Sequence, residues 1–76
     1  MGEKRQMKAG DQLLVAALAQ AKGKLEVHKA NIKVYQTMPA GIGEHSDITE
    51  AVIAELDKMA AAHDRIEVLK EYFNVE

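Results

Sequence analysis

Apolar residues recur at steps of four and three, alternating strictly in the first of two long stretches, 11–38, and following much the same rhythm in the second, 47–74. In the first the series is Leu14, Leu18, Ala21, Leu25, His28, Ile32 and Tyr35. In the second it is Ile48, Val52, Leu56, Met59, Ala62, Ile66, Leu69 and Phe73. A stripe of this kind is the seam of a helix packed lengthwise against another helix. The pattern predicts an all-α fold, an antiparallel two-helix hairpin with helix 11–38, turn 39–46 and helix 47–74.

The residues between and around the stripes supply starts and stops. Asp11 stands just before the first apolar pair and reads as an N-cap, its carboxylate accepting from free amides at the helix start. Pro39 ends the first helix by disfavouring helical geometry at Met38 and by lacking an amide donor. Gly41 and Gly43 permit the reversal, with Ile42 between them plugging the end of the core. Ser46 or Asp47 caps the second helix, and Asp47 with Glu50 has capping-box spacing. Residues 1–10 have no periodicity and carry Glu3, Lys4, Arg5 and Lys8, so they are expected to form a flexible N-terminus outside a single domain, 11–76. Gly23 falls inside the first helix, where it costs about 1 kcal/mol relative to alanine unless a neighbouring backbone approaches there.

Folding the hairpin about Gly43 pairs residues whose numbers total about 87, by the short-connection rule for helix pairs. Leu14 then faces Phe73, Leu18 faces Leu69, Ala21 faces Ile66 and Leu25 faces Ala62, large against small in consecutive layers. The candidate core and self-association residues are accordingly Leu14, Leu18, Leu25, Ile32, Tyr35, Val52, Leu56, Met59, Ile66, Leu69 and Phe73. Leu13, Val15, Val27, Val34, Ile53 and Val68 lie off the seam and lack cover in a lone hairpin. Two hairpins joined as a four-helix bundle would cover them, so a homodimer or higher oligomer is the expectation.

Composition narrows the function more than it identifies it. Apolar residues make up 47% of the 76, but aromatics only 4%, which suits interlocking helices better than an enclosed ligand pocket. The net charge of −2 comes from interspersed acids and bases and gives little pull toward phosphate, so nucleic acid is an unlikely partner. There is no cysteine for a disulfide framework or a thiolate metal site. No apolar run approaches the roughly 20 residues that cross a bilayer. Met1-Gly2 opens like a myristoylation signal, but Gln6 stands where Ser or Thr is wanted. A soluble, cytoplasmic protein without a membrane partner is the expectation.

His28, His45 and His63 are the first candidates for chemistry. In the hairpin register His28 lies opposite Met59, within about one turn of His63. A di-metal bundle, however, uses Glu three residues before each His, and Leu25 and Ala60 stand there. The His-Glu-x-x-His zinc pattern is absent too, so no metal, cofactor or catalytic residue is assigned. His28 reads as a half-buried polar layer that sets register, and His63 as a flank position. The segment Gly41-Ile42-Gly43-Glu44-His45-Ser46 follows a helix instead of a strand and reads as a turn, not a phosphate loop. Glu50, Glu55, Asp57 and Glu67 read as solvated charge on outward faces. Lys22, Lys24, Lys29 and Lys33 read the same way, because the stacking aromatics of a single-strand site are missing among them.

From Asn31-Ile32-Lys33-Val34-Tyr35, through Pro39-Ala40-Gly41-Ile42-Gly43-Glu44-His45, to Glu71-Tyr72-Phe73, the chain resembles small uncharacterised proteins of tailed phages that infect marine cyanobacteria. Those proteins often follow the turn's His with Pro-Asp, where this chain has Ser46-Asp47. The resemblance implies a viral accessory protein, working in the cytoplasm of an infected bacterium, and carries no functional residues with it. The expected function is therefore a non-enzymatic helical protein–protein interaction module that binds itself and a host or phage protein. The alternatives are a metal- or histidine-based enzyme in a helical bundle and a weak nucleic-acid accessory protein.

Overall fold

The computed structural model describes residues 9–37 and 45–76. Two helices account for nearly all of them, α1 over Ala9–Gln36 and α2 over His45–Phe73, with no strand among the described residues. The helices pack against each other as an antiparallel pair, the arrangement the two apolar stripes predict.

The ends differ from expectation in ways that follow from capping. α1 begins at Ala9, so Ala9 and Gly10 belong to the helix, and Asp11 lies in its first turn instead of at the cap. A carboxylate there still complements the helix dipole. α1 closes at Gln36, where the Thr37 amide is shared between the carbonyls of Lys33 (3.2 Å) and Val34 (3.1 Å). The Thr37 hydroxyl donates to the Val34 carbonyl at 3.0 Å as well, satisfying acceptors the last turn leaves open. α2 begins at His45, which moves Ser46 and Asp47 from turn and cap positions into the first turn of the helix. The expected roles of Pro39, Gly41, Ile42 and Gly43 fall outside the described residues, as does the expected flexibility of residues 1–8.

The far end of α2 carries a stop that the apolar periodicity does not reveal. Asn74 adopts a left-handed conformation (φ 57°), one that asparagine tolerates, and turns the chain back. The Val75 amide then donates to the Leu69 carbonyl at 3.2 Å, and the Val75 side chain is buried. Phe73, expected to face Leu14 in the core, is instead 53% exposed. Val75 takes the place assigned to Phe73.

Leu18, Ala21, Ile66, Leu69 and Val75 form the buried cluster, with Leu14, Ala17 and Leu25 packed partly buried against it. Ala62, one step of four before Ile66 on the seam of α2, is buried as well. Nearer the connection, Ile32, Tyr35, Val52 and Met59 are only half-buried. The close packing therefore sits at the end that carries the first and last turns of the pair. Gly23 is on the open side of α1, and an added Cβ would meet nothing within 4 Å. No neighbouring backbone approaches it within the hairpin, so its cost in the helix is simply tolerated.

Candidate functional site

The seam of α2 departs from the expected series at one position. Steps of four and three from Ile48 run through Val52 to Glu55, then on to Met59, Ala62, Ile66 and Leu69. Glu55, not Leu56, is the seam residue. Leu56 lies one position further round the helix and is 48% exposed, which corrects its assignment to the core. Glu55 is likewise withdrawn from the solvated acids.

Across from it, α1 presents His28 and Asn31. Nδ1 of His28 lies 2.6 Å from Oε1 of Glu55, and Nδ2 of Asn31 donates to the same oxygen at 3.1 Å. The His28 side chain is 13% exposed and the Glu55 side chain 18%, so both are largely withdrawn from water. With Glu55 ionised, the ring acts as donor from Nδ1. The Asn31 amide first, and the His28 ring second, hold the Glu55 carboxyl below its ordinary value. Burial works in the opposite direction, and the charge of His28 and then of Lys58 adds a smaller pull downward.

The half-buried polar layer expected at His28 is therefore present, with Glu55 in place of Met59 as its partner. The contact residues total 83 for His28–Glu55 and 86 for Asn31–Glu55, so the pairing runs one to four residues short of the expected register. No buried side-chain nitrogen or oxygen among the described residues lacks a partner. A layer of this kind costs stability relative to packed hydrocarbon but penalises any slip that would leave its members unpaired. The Lys29–Glu26 pair, at 3.3 Å on the surface of α1, contributes little by comparison.

A groove opens on each side of the seam. One, with a volume near 550 Å³, is bordered by Leu25 and Lys29 from α1 and by Leu56, Met59, Ala60 and His63 from α2. His63 thus occupies the flank position expected of it. The other groove, near 380 Å³, is bordered by Asn31, Val34, Tyr35 and Glu55, and so opens directly onto the polar layer. No group of three or more potential metal ligands occurs among the described residues. No helix among them is long and apolar enough to cross a membrane.

Comparison of the chain with protein-family models, with curated proteins and with solved structures gives no match.

Proposed function

We propose that this chain is a non-enzymatic helical interaction module that works by self-association, two hairpins joining as a four-helix bundle. The observation that carries the reading is the exposure of large apolar side chains along both helices, among them Leu13, Val27, Val34 and Val68. Scattered surface leucines and valines need no explanation, but here they recur along the length of both elements of a very small domain. A hairpin of this size has a thin core, and covering those faces with a second copy supplies burial that one copy lacks. In this reading His28 and Glu55 serve alignment, and the resemblance to phage proteins supports an accessory role in an infected bacterial cytoplasm, where a host or phage protein would be its further partner.

Light scattering across a micromolar concentration range tests self-association. The expected result is a mass that rises above the 8.4 kDa of one chain. A mass of 8.4 kDa throughout, from a protein that melts in one sharp transition, overturns the reading.

A further inference from the structure

The two long sides of the hairpin are not alike. On the side of the smaller groove, the outer row of α1 is Leu13, Gln20, Val27 and Val34, spaced by seven, and carries no charge. The matching row of α2 is Asp47, Ala54, Ala61 and Val68, uncharged beyond the first turn of the helix. On the side of the larger groove the corresponding rows contain Glu26, Lys33 and Glu67. Of the nine exposed large apolar residues among those described, five lie on the first side, namely Leu13, Val27, Val34, Val68 and Tyr72. Lys24, Lys58 and Arg65 border it, and their long stems can lie along apolar surface while the charges reach water.

We propose that a second copy of this chain docks on this side, with α1 of each copy lying against α2 of the other and both connections at the same end of the assembly. The inference rests on the self-association proposed above and names its face and its pairing. Two helices, each about 10 Å across and ~42 Å long, offer roughly 800 Å² per copy, the share each partner contributes to a standard stable interface. Charge selects the pairing. α1 carries four lysines against two acids, net +2, and α2 seven acids against three bases, net −4. Averaged over whole helices, laying α2 on its own copy would set one −4 helix against another, whereas α1 on the partner's α2 joins opposite net charges, with the cationic Lys24, Lys58 and Arg65 turned outward at the rim.

A two-fold axis parallel to the helices preserves the levels set within each hairpin by His28, Asn31 and Glu55. Lys24 then comes level with the partner's Ala61, and Leu13 with the partner's Tyr72. The docked copy also closes the groove beside Asn31 and Glu55, removing the polar layer from water.

The test uses the full chain with exposed positions substituted, so that folding, checked by circular dichroism, is retained. Val27→Glu should raise the dimer dissociation constant by at least about tenfold, a loss near 1.4 kcal/mol, while Ile53→Glu on the other side should change it by less than about twofold. Because the chain has no cysteine, Lys24→Cys and Ala61→Cys variants report the pairing directly. Mixed under oxidising conditions they should form a disulfide with each other, and neither should form one alone. A dimer broken by Ile53→Glu but not by Val27→Glu overturns the face and leaves self-association standing. Lys24→Cys linking to itself overturns the pairing. A chain that stays monomeric at every concentration overturns the self-association reading, and this one with it.

Discussion

Glu55 shows how one side chain can be misplaced by hydrophobicity and recovered by spacing. From Val52 the seam can step three residues to Glu55 or four to Leu56. Leu56 is the apolar choice, but it forces two successive steps of three, to Met59 and Ala62, and breaks the alternation. The structure keeps the alternation, because helix geometry fixes which residues face the neighbour and a carboxylate at such a site can be satisfied by His28 and Asn31. The contact makes stability depend on pH in a definite direction. A carboxyl whose folded-state pKa lies below its unfolded value favours the folded state above the unfolded pKa, and the benefit is lost as pH falls through the folded one. Urea titrations of the parent and of Glu55→Gln should therefore converge as pH drops below about 4.5. Curves that keep a constant separation from pH 7 to pH 3 would show that Glu55 contributes nothing through its charge.

At the level of the helices, the sequence makes most of the architecture legible and the ends least so. The existence, type and mutual direction of α1 and α2 follow from repeated spacing, which averages over many residues and tolerates one misplaced position. Their limits depend on single residues, and both helices start two residues earlier than Asp11 and Asp47 suggest. The stop after Phe73 did have a signal, since asparagine followed by an apolar residue is a known helix ending, but the apolar stripe alone draws attention to Phe73. Truncation makes the difference measurable. Val75→Ala should lower stability by roughly 1–2 kcal/mol, from two buried methyl groups, and Phe73→Ala by less, as read from denaturant midpoints. The opposite order would return Phe73 to the core. Gly23→Ala should stabilise α1 by about 1 kcal/mol, because the added methyl meets nothing within 4 Å. A loss of stability at low protein concentration would show that something does approach that position.

For the whole molecule, size dominates. A core of six well-buried side chains among the described residues, two of them alanine, leaves each copy of an 8.4 kDa chain close to the lower limit of independent stability. Association that requires the folded hairpin then adds to stability by mass action. The melting temperature should rise with total protein over the range in which the mass rises by light scattering. A melting temperature independent of concentration would mean that unfolding of the hairpin is not coupled to dissociation, and would overturn the contribution of association to stability.

The uneven burial along the hairpin also bears on how it folds. Leu18 and Leu69, both in the buried cluster, are separated by about fifty residues of chain, whereas contacts beside the connection would close a loop of about ten. By loop-closure entropy the longer closure costs about 1.4 kcal/mol more. Helical proteins ordinarily fold fast because their contacts are local, and among the described residues of this one the buried cluster lies far from the connection. It should accordingly fold more slowly than its helix content suggests, and its most protected amides should lie remote from the reversal. Native-state hydrogen exchange should find the slowest amides around Leu18–Ala21 and Ala62–Leu69, with the helix ends nearest the connection opening first.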